Sequence, residues 1–318
     1  MKIPFFYCDI PNFGDALNPI IFSKLAKIKI RFAPVDFAMI MGIGSLGDML
    51  LMDTKDHIFK ENPIWLFSTG IGFEEGKFFH NPNIILPEKL RRNVKCYALR
   101  GKLTEARISK MLGHSTGAVL GDGGLLVSYL IDSDKIEKKY ELGIVPHYAD
   151  RDSKVFSKIT GRIPNSKILD ATLSVDKFLH DMCECKAVIS TAMHPLIACD
   201  ALRIPNQWVR ISEETTSRYK FYDYYSVFNK QKEPLDLSNY EFCEADLNNL
   251  VKNYDISDEE VFKVQRELLC ALQSLCIDLN KIKYKLLFMS FIKLILRPVV
   301  CLFPIKKIRK KFKLFLKY

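Results

Sequence analysis

Two of the chain's six histidines follow short apolar runs that end in a small or polar residue: His147 after "GIVP" and His194 after "VISTAM". An imidazole titrates near neutral pH and can give or take a proton in water-compatible chemistry. Either histidine alone reads as a structural one. Their equivalent positions, each at a strand end in one of two successive βα units, put a shared site on an equal footing with that reading. Pro195 fits the first helical position, which puts His194 at the helix cap. There the helix dipole disfavours an imidazolium. A bound polyanion reverses that effect, raises the histidine pKa and makes an acid only when substrate is present.

Other strand ends carry further candidates. Arg100 follows "CYAL" and precedes Gly101, and its fork, read as facing a cleft, suits bidentate capture of phosphate or carboxylate. A surface ion pair is the plain alternative. Asp122, in "LGDGG", either orients a hydroxyl or a basic side chain, or caps the helix that follows. The glycine loops at 42–47 and 69–72 can bring backbone N–H groups close to an anion, or are simply tight turns. "GIGSLG" fits G-x-G-x-x-G as a string, but no strand about 20 residues on offers an acidic ribose partner.

These residues need an alternating βα scaffold, and the chain reads as one. "KIPFFYC" (2–8) is a strand and 13–27 a loop and helix. The runs 37–48, 64–73, 94–112 and 117–130 repeat the theme of an apolar run ending in glycine or a small polar residue. A charged linker, "DSDKIEKKYE" (132–141), precedes a second series: strands at 142–150, 166–172, 186–191 and 207–212, helices at 175–185 and 195–204. Ser257 and the acids after it mark the N-cap of a long helix over 257–275. The expected architecture is α/β, with Rossmann-like domains at 1–135 and 142–278. Ligands of such parallel sheets sit at the carboxyl ends of the strands.

Composition narrows the function. The net charge is +10, yet residues 281–318 hold twelve Lys or Arg and no acid, which leaves 35 basic against 37 acidic residues in 1–280. The body is near neutral, so a nucleic-acid surface is not expected. The nine cysteines are scattered, and Cys183 and Cys185 lack the spacing of zinc or redox motifs, so reduced thiols and no metal site are expected. "MKIPFFYCDIPNFGDALNP" is a poor signal peptide, which places the chain in the cytoplasm.

The ordered set "NFGDALNP" (12–19), "GIGS" (42–45), "STGIG" (68–72), "ALRGKLT" (98–104), "LGDGGLL" (120–126), "GIVPHYAD" (143–150), "STAMHPLIACDALRIP" (190–205) and "KFYDYY" (220–225) resembles the polysaccharide pyruvyl transferases. The resemblance covers residues 1 to about 226. It implies a glycosyltransferase-B-like pair of Rossmann-type domains and transfer of enolpyruvate from phosphoenolpyruvate, the donor substrate, to a sugar diol. No cofactor is implied. The acceptor by family habit is a 4,6-diol of galactose or an N-acetylhexosamine on a lipid-linked glycan. It further implies His194 as acid and anion ligand, with His147 second. Substrate contacts are expected at Arg100, Ser190, Thr191, Asn12, Asp15, Gly44, Ser45, Thr69, Gly70, Asp122 and Lys220. The family's Ser-x-Arg-x-His reads here Ser190, Ala192 and His194, so the second anion-binding arginine is absent. Arg203, Arg210, Arg218 and Lys220 are the candidates to replace its charge. A glycosyltransferase using a sugar nucleotide, and a scaffold without activity, are the competing readings.

The tail, residues 281–318, has an apolar run at 286–304 that Lys293, Arg297 and Pro298 interrupt. Spanning a bilayer with two charges mid-run is costly. A basic amphipathic segment lying on an anionic leaflet fits better, with a terminal helix packed on the body as the alternative. This puts the protein peripherally on the inner face of the cell membrane. Truncation after residue 280 is expected to move it from the membrane to the soluble fraction on cell fractionation, and an unchanged distribution would refute the interfacial reading.

Overall fold

The computed structural model describes residues 2–51, 63–77, 83–212 and 217–302, with side chains to residue 283 except 89 and 90. Met1–Leu272 form one compact unit and Gln273–Tyr318 a second. The first unit contains two wholly parallel sheets. Strands β1 (Ile3–Phe6), β2 (Ile30–Phe32), β3 (Ile40–Met41), β4 (Ile64–Thr69), β5 (Val94–Leu99) and β6 (Val119–Leu120) pair in the order β2-β1-β3-β4-β5-β6. Strands β7 (Tyr140–Val145), β8 (Ser166–Ile168), β9 (Cys185–Ser190), β10 (Asn206–Arg210) and β11 (Leu235–Asp236) pair in the order β11-β10-β9-β7-β8. Each sheet reverses its winding next to its first strand, between β1 and β3 and between β7 and β9. Ligands of parallel sheets bind beyond the strand ends at that reversal.

The helices are α1 (Phe13–Lys24), α2 (Asp48–Leu51), α3 (Glu88–Arg91), α4 (Lys102–Leu112), α5 (Lys154–Arg162), α6 (Val175–Cys183), α7 (Met193–Ala201), α8 (Tyr219–Tyr225), α9 (Glu244–Lys252) and α10 (Asp258–Leu302). Central strands are apolar because both their faces are covered: every residue of β4 is buried. Leu66, Leu99, Ile108 and Met111 join one core, and Leu142, Ile144, Phe156 and Ile189 the other. Each fully buried side chain of this kind contributes about 2 kcal/mol. Phe13 of α1 meets Phe178 of α6 at 4.6 Å between ring centroids, tying the start of the first half to the second.

Helix ends follow local chemistry. Ser257 is the expected cap of α10, in a reciprocal box: its Oγ accepts from Glu260 N at 3.3 Å and Glu260 Oε2 accepts from Ser257 N at 2.9 Å. That helix outruns the expected 275 and continues to Leu302, since 258–297 contains neither glycine nor proline. The expected boundary at 278–281 therefore falls inside one helix. Helix α7 begins earlier than expected, with Ala192 as N-cap, so His194 and Pro195 are its second and third residues rather than cap and first. A first-turn proline is tolerated there because its missing N–H has no partner inside the helix. Edge strands β2 and β11 and helices α5 and α9 are additions to the sequence reading. Of the tail 281–318, the side chains from 284 onward and all of 303–318 lie outside the described residues. Among the described residues, no helix is long and apolar enough to cross a membrane.

One polar node fastens the second half. Asp200 of α7, 2% exposed, accepts from Asn206 Nδ2 at 2.6 Å, Tyr254 OH at 2.7 Å and Tyr224 OH at 2.6 Å. It thereby links α7 to β10, α8 and the segment before α10. Asp200→Ala strands three donors, and burial without partners is costly. We expect a loss of about 3 kcal/mol in urea unfolding; a change under about 1 kcal/mol would refute the node's role.

Candidate active site

Arg100 follows β5 directly, as expected, but its fork is enclosed. The side chain has no exposed surface; Nε donates to Asp223 Oδ2 at 3.0 Å, Nη1 to Ser45 Oγ at 3.1 Å, and Nη2 to the Ile71 carbonyl. A Cβ at residue 70 would stand 2.2 Å from the guanidinium carbon, so only glycine leaves the arginine its path. Asp223, on α8, also accepts from Thr104 N at 2.9 Å and Thr104 Oγ1 at 2.5 Å. The cleft-facing fork is therefore corrected: Arg100 is a clamp between the β5–α4 turn and α8, because a guanidinium removed from water must find its acceptors inside the protein.

The glycine loops are likewise closed on themselves. Gly42 N donates to Phe6 O, Gly70 N to Gly44 O, Gly47 N to Gly70 O, and Gly72 N to the Asp48 carboxylate. Thr69 Oγ1 donates to the carbonyls of Met41 and Gly42, both at 2.9 Å. Of the two readings of these loops, tight packing describes these amides. Ser190 and Thr191 act similarly on the other sheet. Ser190 Oγ bridges the carbonyls of Val145 and Ala192, while Thr191 Oγ1 accepts from His147 N at 2.8 Å. These hydroxyls lock the end of β9 to the end of β7, which fixes where the two histidines start.

His194 occupies the meeting point of the two halves. A Cβ at residue 14 would lie 2.0 Å from its Nδ1, so Gly14 lets the ring rest on the first turn of α1. Its Nε2 is buried without a hydrogen bond and lies 3.8 Å from Asp122 Oδ2, which is also buried and unpartnered among the described residues. The other oxygen of Asp122 accepts from Gly124 N at 2.8 Å, capping a short 3₁₀ helix. Of the two readings of Asp122, the cap is the one this oxygen makes; the other oxygen faces the imidazole without bonding to it. Asn12, the N-cap of α1, donates to Asp15 Oδ2 at 2.6 Å, and Asp15 is within electrostatic reach of His194 and Lys220.

The four candidates for the missing arginine's charge separate clearly. Arg203 pairs with Asp258 at 3.4 Å, Arg210 with Asp236 at 2.5 Å and Arg218 with Glu233 at 3.8 Å. Lys220 of α8 instead interacts with Asp15, Asp48, Asp150, His194 and His147. The sequence reading named Lys220 but passed over Asp48, Asp150, Asp223 and Thr104. Asp223 was visible only as the acid inside "KFYDYY", and Asp150 as the last residue of "GIVPHYAD".

Burial drives the whole constellation toward neutrality. It lowers His194 and His147 to about 4, and Lys220 to about 8, with neighbouring positive charge adding to the effect. It raises Asp122 and Asp48 to about 6, against the opposing pull of backbone N–H donors and of Arg100. Perturbed groups gathered at strand ends mark a site rather than a core. The one grouping with metal-ligand geometry among the described residues, His180, Asp181 and Glu184, lies elsewhere and is met by Lys139, Lys167 and Lys177.

Asp122 ionises near 3.8 when unfolded and near 6 when folded. The fold thus binds the extra proton, and stability falls as pH rises through that window. Asp122→Asn keeps the cap and removes the charge. In urea unfolding it should exceed wild type by up to about 3 kcal/mol at pH 7.5 and match it at pH 4. A variant less stable than wild type at pH 7.5 would contradict burial as the cause.

The chain is 31% identical over 165 residues to an uncharacterized protein of Acanthamoeba polyphaga mimivirus, covering 50% of this chain and 55% of the other. The chain thus spans about half the length of the curated relative it matches. The sequence model described as polysaccharide pyruvyl transferase matches residues 12–213, from the cap of α1 past His147 and His194. That match takes in well over half of the sequence, and the chain belongs to the polysaccharide pyruvyl transferase family.

Proposed function

We propose that the protein moves the enolpyruvyl unit of phosphoenolpyruvate onto the 4,6-diol of a galactose or N-acetylhexosamine in a lipid-linked glycan, and closes it to a pyruvate ketal. The observation that carries this reading is the setting of His194. Its ring lies in the first turn of α7 and against the first turn of α1, near Lys220 and facing Asp122. Two helix N-termini and an ammonium suit a compact polyanion. The buried Arg100 adds positive potential from behind, lowering the pKa of both His194 and Lys220.

Ligand-free His194 is neutral at pH 7 because burial holds its pKa near 4. The phosphate and carboxylate of the donor supply the missing negative charge and raise it. A closer approach of Asp122 Oδ2, 3.8 Å from Nε2 without ligand, lets it accept a hydrogen bond from Nε2–H and fix the tautomer. His194 then protonates C3 of the enol, a first sugar hydroxyl bonds to C2 as a nearby base takes its proton, and a second displaces phosphate from C2, its proton leaving with the phosphate. The products are the ketal and inorganic phosphate. Positioning and electrostatics carry much of such a rate. A glycosyltransferase-B-like pairing of the two sheets encloses the reaction, and residues 281–318 hold the enzyme at the membrane that carries its acceptor.

Purified protein and a lipid-linked glycan extract, given phosphoenolpyruvate, should release phosphate and yield a glycan with the mass of a pyruvate ketal. Sugar nucleotides should leave the glycan unchanged; transfer from them instead would replace this reading with a glycosyltransferase. His194→Ala should lower the rate by about 10²–10⁴-fold, and full activity in that variant would remove His194 from the mechanism.

A further inference from the structure

Asp150 lies in the loop after β7. Its amide donates to the His147 carbonyl at 2.8 Å and its carbonyl accepts from Ser153 N at 3.0 Å. The side chain is only 3% exposed, and neither carboxylate oxygen has a hydrogen-bond partner among the described residues. Buried carboxylates are almost always paired or hydrogen-bonded. The fold gives this one no structural role, since Ser153 caps α5, and Ser190 with Thr191 closes the end of β9 onto β7. Its charge is instead felt by Lys220 and by the half-buried His147.

Lys220 and the two helix N-termini attract an anion, whereas a carboxylate repels one and accepts hydroxyl hydrogens. A cavity of about 280 Å³, lined by Asn12, Pro146, Tyr148, Arg151 and Asp170 among others, adjoins the same loop. The Tyr148 ring, largely exposed and 4.1 Å from that of His147, offers a flat apolar face to a sugar.

We propose that Asp150 holds the reacting hydroxyl of the acceptor sugar and takes its proton. This rests on the pyruvyl-transfer reading above. As the hydroxyl oxygen bonds to C2 of the donor, its O–H bond breaks and the proton passes to the Asp150 carboxylate. C3 gains a proton from His194. The second hydroxyl then bonds to C2 as its own O–H bond breaks, the C2–O bond to phosphate breaks, and the phosphate leaves with that electron pair and the second hydroxyl's proton; the proton on Asp150 returns to His194 through solvent. One donor and one diol thus become one ketal and one phosphate, with no oxidant or reductant.

Asp150→Asn tests this with three readouts: phosphate release with the glycan extract, thermal stabilisation by phosphoenolpyruvate, and saturation-transfer NMR with methyl β-galactopyranoside and methyl β-N-acetylglucosaminide. The variant should melt no lower than wild type, since the carboxylate it replaces makes no hydrogen bond among the described residues. Its turnover should fall at least about 100-fold, its stabilisation by phosphoenolpyruvate should persist, and its contact with the glycosides should be lost. Turnover and glycoside contact near wild type would overturn the proposal, as would loss of stabilisation by phosphoenolpyruvate. If wild type releases no phosphate but loses glycoside contact on substitution, the transfer reading fails and the hydroxyl-binding role stands. No release and no glycoside contact in either protein would overturn both.

Discussion

The ion pair between Arg100 and Asp223, with neither side chain exposed, sets the geometry on which the site depends. Removing two such charges from water is unfavourable unless every remaining donor and acceptor is satisfied. Ser45, Ile71 and Thr104 complete the set, and each belongs to a different strand-end loop or helix start. The pair therefore fastens the loops after β3 and β4 and the start of α4 to α8. Breaking such a pair by removing one partner typically costs about 3–5 kcal/mol. Lys220 lies three residues before Asp223, on the same face of the same short helix. A contact that reads as structural thus decides where the site's second positive charge stands.

Around that clamp, the hydroxyls and glycine amides named by the sequence are engaged in joining loops, while the ionisable groups at the centre are left without partners. Asp122 Oδ2, His194 Nε2 and both oxygens of Asp150 are buried and have no hydrogen-bond partner among the described residues. Leaving them so lowers stability, a familiar cost of a site held ready for a ligand. Burial shifts acids up and bases down, so the site by itself carries little net charge on the groups that would do the chemistry. In the proposed reaction a bound polyanion raises the His194 pKa and makes the neutral imidazole an acid.

Much of this was legible in the residue order. Apolar runs ending in glycine or small polar residues located β4, β5, β7 and β9, since the carboxyl-terminal halves of these strands are covered on both faces and so are apolar. The serine and acids at 257–260 located the start of α10, because capping is local chemistry. His147 and His194 were readable for the same reason: a residue just after a central strand stands at the carboxyl edge whatever its neighbours. The three-residue β2 and the two-residue β11 were not readable, being edge strands too short to show a pattern. Arg100 was placed correctly in sequence and wrongly in orientation, because its partner lies 123 residues away.

The sequence by itself determined the two βα series, the family, and the list of residues brought to the strand ends. Periodicity and capping act within a few residues, so they survive in a one-dimensional string. Only the tertiary structure decided the division of labour among those residues. It made Arg100, Thr69 and Ser190 fasteners, set His194 Nε2 3.8 Å from Asp122 without a hydrogen bond, paired Arg203, Arg210 and Arg218 with acids, and left the Asp150 carboxylate without a hydrogen-bond partner among the described residues. Each of those outcomes depends on which side chains, distant in sequence, compete for the same donor or acceptor once water has been excluded.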